Sequence, residues 1–460
     1  MKKQLSAISY QLSAITFLLL TAHCLLLTAS AQIAVKGETV YTMDGQAIKN
    51  GVVLTNNGKI TAVGPNTRIV VPNGYKVIEA KVVTPGLIDA HSVIGLAGYL
   101  NQPHDQMQIE NSSPIQPELR AIDAYNPEET LIEWVRSLGI TTIHTGHAPA
   151  ALVSGQMMIA KTVGKTVEDA VIIPTSMIAV TLGDDALGSG GKSPGTRAKE
   201  AAMLRTLLLK AQESARKSDA AKKTEKTVVV QNTDSANNKN DNSPNPSNPN
   251  SMLKNPPTPA YQDDSSQTST INASSDLRND IMERVVRREI PLLVTAQKAI
   301  DIMTALRIAK EFNIKIVLDG VAEAQLVMNE IKASGFPVVL HPTMYRAGGD
   351  TESLSLETAA KLEKAGIPFA LQSGYETYVP KTRVVLFEAA LTLPNGLNFE
   401  QALSTITIDA AKVLGLDKRI GSITVGKDAD LAMYDGDPFE YTTHCVGTMI
   451  DGKIVSEIVR

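Results

Sequence analysis

From Asn126 onward the chain alternates amphipathic stretches with short apolar runs. Leu131, Val135 and Leu138 keep helical spacing, and Gly139 stops that helix before the apolar run Thr141-Thr142-Ile143-His144. Asn126 and Pro127 predict the helix start, as cap and first-turn residue. The same unit recurs over 302–319, 323–341 and 357–373, each with a helix, a Gly or Asn stop and a buried strand. Repeated helix-to-strand units of this size predict a parallel sheet. Eight candidate strands end near His91, His144, Ala160, Val180, Thr295, Asp319, His341 and Ser373. A closed eight-stranded barrel is favoured over an open sheet, a distinction that periodicity alone does not make.

The two ends have a different texture. Val52-Val53-Leu54 and Ile60-Thr61-Ala62-Val63 flank Asn57-Gly58, which predicts a hairpin. Near the C-terminus, apolar runs again precede Asp435-Gly436 and Asp451-Gly452. The pattern predicts one small β domain built from both ends, over 32–84 and 417–460, around a barrel over 85–416. Residues 215–276 are rich in Asn, Ser, Pro, Lys and Asp, as in Asn242-Ser243-Pro244-Asn245-Pro246-Ser247. Such a segment buries too little apolar surface to offset its ordering entropy, which predicts a disordered insertion.

Composition narrows the partners. The 460 residues carry 43% apolar side chains, 4% aromatics and a net charge of -4, which argues against nucleic acid as a partner. Lys2 and Lys3, the apolar run Ile15 to Leu27 and then Ala29-Ser30-Ala31 read as a secretory signal peptide over 1–31. The expectation is export to the periplasm or medium, with no stable membrane span after cleavage. Cleavage would remove Cys24 and leave Cys445 as a lone structural thiol.

Several stretches resemble the metal-dependent amidohydrolase superfamily, closest to its imidazolonepropionase-like and dipeptidase-like branch. They are Pro85-Gly86-Leu87-Ile88-Asp89-Ala90-His91, Thr407 to Gly415, Ile420 to Leu431 and Asp451-Gly452-Lys453. The resemblance implies an α/β fold, a (β/α)8 TIM-like barrel with a small β-sandwich domain formed by both termini. It also implies a divalent metal such as zinc and hydrolysis of a carbon–nitrogen bond. The family's first strand ends in His-x-His, where this chain has His91 and Val93. The other usual ligand positions hold Thr295, Gln297, Asp319, Gln372 and Ser373.

A relocated metal site is therefore expected from His91, His144, His147 and His341, all at predicted strand ends. The bland alternative is that each histidine caps a strand or bonds locally. Asp89, two residues before His91, is a candidate ligand or general base, or else fixes a loop. Glu376, Lys381 and Arg383, in the loop after the last strand, are candidates for proton shuttling and for holding a substrate carboxylate, or else form a solvated charged face. The expected function is an exported hydrolase acting on an amide, cyclic amide or small peptide-like substrate. The alternative is an inactive protein of the same fold that binds a small ligand. Gly188 to Ser193 lacks the first glycine of a phosphate loop and reads as a flexible turn.

Overall fold

The computed structural model describes residues 32–100, 102–188, 190–235, 267–343, 347–375 and 384–459, with side chains omitted over 221–235 and 267–276. The signal-peptide reading lies outside the described residues, as do Glu376, Lys381 and Arg383. No described helix is long and apolar enough to cross a membrane.

Four strands from the N-terminal part and three from the C-terminal part make one seven-stranded sheet. They are β1 (Ile33–Val40), β2 (Ile48–Asn56), β3 (Lys59–Pro65) and β4 (Lys76–Pro85), joined by strands here numbered β13 (Leu431–Tyr434), β14 (Cys445–Ile450) and β15 (Lys453–Ser456). Their order is β15-β14-β13-β4-β1-β2-β3. Val35, Val53, Ile60, Val83, Leu431 and Met449 meet in a common apolar core, so both ends of the chain complete the same β-sandwich-type domain. Cys445 is buried in β14.

The second sheet has eight strands in sequence order: β5 (Leu87–Ser92), β6 (Ile140–Thr145), β7 (Val153–Lys161), β8 (Val171–Leu182), β9 (Leu292–Ala296), β10 (Ile316–Gly320), β11 (Val338–Leu340) and β12 (Phe369–Leu371). A parallel bridge from Ser92 to Gly374 brings its ends together, giving a nearly closed TIM-like barrel. The expected uniform parallel sheet needs one correction, because β7 runs antiparallel to both β6 and β8. The segments joining β6, β7 and β8 are too short for a crossover helix of ordinary length, so the chain turns back as hairpins.

Helices start and stop where local chemistry allows. The first barrel helix, Thr130–Arg136, begins later than Asn126 predicts, because the Glu129 side chain accepts from the Leu131 N–H and serves as cap. Asn313, Gly335 and Gly366 end helices in the left-handed region, at φ of 53°, 69° and 69°. The insertion also differs from expectation. Helices Arg197–Ser235 and Gln267–Val286 reach into it, and only 236–266 lies outside the described residues. Leu204, Leu208, Ala211 and Ala215 are buried at helical spacing and anchor the first of these helices. No Gly or Pro occurs from Arg197 to Ser235, so nothing local stops its propagation.

An ionic cluster ties the barrel to the sheet domain. Lys161 Nζ, at the end of β7, donates to Asp428 Oδ2 at 2.8 Å, to Asp430 Oδ1 at 3.1 Å and to Asp451. Lys59 and Arg419 also donate to Asp428, at 2.6 and 2.8 Å. Burial pushes Asp428 up, but its hydrogen bonds to Lys161 and Lys59 outweigh that and hold the carboxyl down at about 2. The acidic pair in Gly426-Lys427-Asp428-Ala429-Asp430 is thus an inter-domain anchor.

Candidate functional site

Strand period 2 divides the barrel interior into layers. Ile88, Ala90, Met157, Ile159, Met177, Ala179, Leu293, Val317, Val339 and Ala370 form one apolar cluster. Ala410, Ala411, Leu414 and Ile420 close it at one end. Two residues further along each strand the chemistry changes. Leu293, Val317, Val339 and Ala370 are followed at the same parity by Thr295, Asp319, His341 and Gln372. All four lie at or just past the C-terminal strand ends and are buried.

Asp319 is the hub of this polar layer. Its Oδ1 accepts from His91 Nδ1 at 2.9 Å and from Gln372 Nε2 at 2.8 Å, while Oδ2 accepts from Thr295 Oγ1 at 2.6 Å. A carboxylate partner fixes the His91 tautomer with its proton on Nδ1, leaving the Nε2 lone pair free. That Nε2 is buried and has no hydrogen-bond partner, and neither has Gln372 Oε1. The Tyr375 ring lies 5.5 Å from the His91 ring, and Gln297 Nε2 donates to the Tyr375 hydroxyl at 3.2 Å. Gly320 sits at φ +83°, where a Cβ would meet Gln297 Nε2 at 2.4 Å, so a glycine after Asp319 lets Gln297 pass.

Asp89 closes the barrel instead of facing the His91 ring. It accepts from the Ser373 N–H at 3.1 Å, from the Ser373 hydroxyl and from the His91 N–H at 3.3 Å. Burial raises its carboxyl to about 6 despite those bonds. Sequence reading placed Asp89 on the same strand face as His91, but the irregular register between Asp89 and Ser92 breaks that alternation.

The other histidines take separate surroundings. His144 Nδ1 donates to the Ala90 carbonyl at 2.9 Å, and Nε2 is in hydrogen-bond contact with Ser176 Oγ at 2.9 Å. Both nitrogens are therefore engaged. His341 keeps both ring nitrogens unpartnered, as does His147, which packs beside Gly155. Burial lowers all three rings from 6.5 to about 4, so they stay neutral near pH 7.

The expected four-histidine metal centre is not assembled. Among the described residues, no group of three or more His, Cys, Asp or Glu is arranged to hold an ion. A catalytic zinc takes three protein ligands. Here the carboxylates of Asp89 and Asp319 are already engaged by neighbouring donors, His144 is engaged at both nitrogens, and Val93 packs against Ala97, Ala148 and Tyr375. The donor set does not fit the divalent centre implied by the family resemblance. Sequence reasoning noticed Asp319 only as a replaced histidine and gave Gln372 and Thr295 no role. Their shared parity with Val317, Ala370 and Leu293 was the available signal.

Comparisons with known proteins agree with this architecture. Residues 320–456 match a profile described as "Amidohydrolase family". An amidohydrolase of Thermotoga maritima superposes with a TM-score of 0.77 at 27% identity, over 93% of this chain and all of that one. A 5'-deoxyadenosine deaminase of Methanosarcina acetivorans is 36% identical over 103 residues, 21% of this chain and 23% of the relative. An imidazolonepropionase of Alkaliphilus oremlandii is 32% identical over 106 residues, 22% of this chain and 25% of the relative. The matches thus span about a quarter of each of these two curated relatives. With the barrel, the two-ended sheet domain and these similarities together, the chain belongs to the amidohydrolase superfamily.

Proposed function

We propose that the protein is an exported hydrolase that cleaves a carbon–nitrogen bond in a small amide, cyclic amide or peptide-derived substrate. The observation that carries this reading is the buried polar layer at the C-terminal end of the barrel. An unpartnered buried polar atom costs roughly 1–3 kcal/mol. His91 Nε2, Gln372 Oε1 and both His341 nitrogens are such atoms, gathered where barrel enzymes build their sites. Groups kept at that cost are explained by a reaction or ligand that uses them. Similarity to an imidazolonepropionase and a deaminase supports carbon–nitrogen chemistry, and the leader-like N-terminus supports export.

The test is amine or ammonia release from N-acyl amino acids, five- and six-membered cyclic amides and dipeptides, using the purified mature chain. The expected result is turnover of at least one class that His91→Gln removes. Turnover no higher than that of His91→Gln on every class would contradict hydrolysis.

A second reading, ligand binding without catalysis, is favoured by one feature. Neutral Thr295, Gln372 and Ser373 stand where the resemblance places metal-binding or catalytic groups, and the two nearby carboxylates are engaged internally. Saturable binding of a panel compound without turnover would select this reading.

A further inference from the structure

The misfit between the donor set and a metal centre has a positive counterpart, because the same residues form an oriented histidine. We propose that His91 is a metal-independent general base for hydrolysis, and that Asp319 is its positioning residue. The proposal rests on the hydrolytic reading above and supplies the mechanism for that site.

The geometry supports it in three steps. First, Asp319 grips the Nδ1 edge of the ring, which points the opposite nitrogen, Nε2, away from the carboxylate. Second, Asp319 is itself held by Thr295 on the adjacent β9 and by Gln372 just past β12, so three buried side chains set the orientation of the His91 ring. Support of this kind fixes a base before substrate arrives. Third, His91 and Gln372 share one oxygen of Asp319, and each leaves an acceptor atom unpartnered. A buried acceptor calls for a donor, and a water is the smallest group that can give a hydrogen to His91 Nε2.

The step balances without a metal. His91 Nε2 takes one proton from that water as its oxygen forms a bond to the substrate carbonyl carbon. The carbon–nitrogen bond then breaks, and the imidazolium returns the proton to the departing nitrogen. Water and amide become acid and amine, and His91 ends as it began. Asp319 keeps its hydrogen bond to Nδ1 throughout and stabilises the transient imidazolium.

Full-length mature protein is assayed after o-phenanthroline and EDTA treatment, with metal content measured in the same sample. The expected result is unchanged turnover at less than about a tenth of an equivalent of transition metal, with no gain on adding zinc chloride. Asp319→Asn lowers kcat about 100-fold with KM unchanged, whereas a merely structural role would move both or neither. Loss of turnover on chelation, restored by zinc, overturns the proposal.

A second readout does not need a substrate. In 15N-histidine spectra His91 is a single Nδ1–H tautomer, and Asp319→Asn allows the Nε2–H form to appear. One equivalent of zinc leaves the His91 signals in place. A zinc-dependent shift of His91 Nε2 would overturn the dyad even in a protein with no turnover. An unshifted His91 in an inactive protein keeps the dyad geometry but refutes its role as a base, together with the hydrolytic reading.

Discussion

Two buried polar assemblies in this molecule differ in how completely their atoms are used. Around Lys161, the ammonium spends three hydrogen bonds on Asp428, Asp430 and Asp451, and Lys59 and Arg419 reinforce Asp428. Around Asp319, the carboxylate is equally well supplied, yet its partners His91 and Gln372 each keep an unused acceptor. The first cluster joins two domains and leaves one oxygen of Asp430 open. The second has no joining task and leaves several atoms open in one layer. Nearly complete networks hold structure together, while incomplete ones at a barrel mouth are built for something that arrives.

Breaking the first assembly should cost the most stability. Lys161→Met strands Asp428 and Asp430 as buried carboxylates without their central cation, and about 3–5 kcal/mol should be lost, read by denaturant unfolding. Asp319→Asn should cost less, about 1–2 kcal/mol, because the Asn oxygen can still accept from His91 and Gln372, which share one oxygen of Asp319, while Thr295 Oγ1 can accept from the new amide. Its main effect should fall on turnover, so the two variants separate structure from activity. Equal stability losses would erase the contrast between the two clusters.

Smaller changes sharpen the picture. Gly320→Ala forces a Cβ toward Gln297 at a φ of +83°, and about 1–3 kcal/mol should be lost in thermal unfolding. An unchanged melting temperature would show that Gln297 yields freely. The last effect concerns pH. Burial holds His341 at about 4, while the unfolded chain titrates near 6.5. The unfolded state therefore takes up a proton first as pH falls, and this group withdraws stability progressively between 6.5 and 4. His341→Gln lacks that loss, so its stability relative to the native chain should improve by up to about 3 kcal/mol from pH 7 to pH 4. A constant difference across that range would mean that His341 titrates alike in the folded and unfolded chain.

Much of the barrel was legible because buried strands are written as local apolar runs. The eight predicted strand ends fall on or close to β5 through β12. The direction of β7 was not legible, since Met157 and Ile159 have the same apolar texture in either orientation. The site was harder to read. His91 and Asp319 are separated by 228 positions, and no local period links them. Histidines attract notice as metal ligands, yet His144 turns out to be engaged at Ala90 and Ser176, and Asp89 to close the barrel through Ser373. What decided the site was which atoms remained unpartnered, and a sequence does not display that.

The most direct test of the account is turnover of chelator-treated, metal-assayed protein, compared side by side with Asp319→Asn. The account predicts hydrolysis that persists without bound metal and falls about 100-fold in the variant. Hydrolysis that rises and falls with equivalents of bound metal, and is indifferent to Asp319, would contradict it.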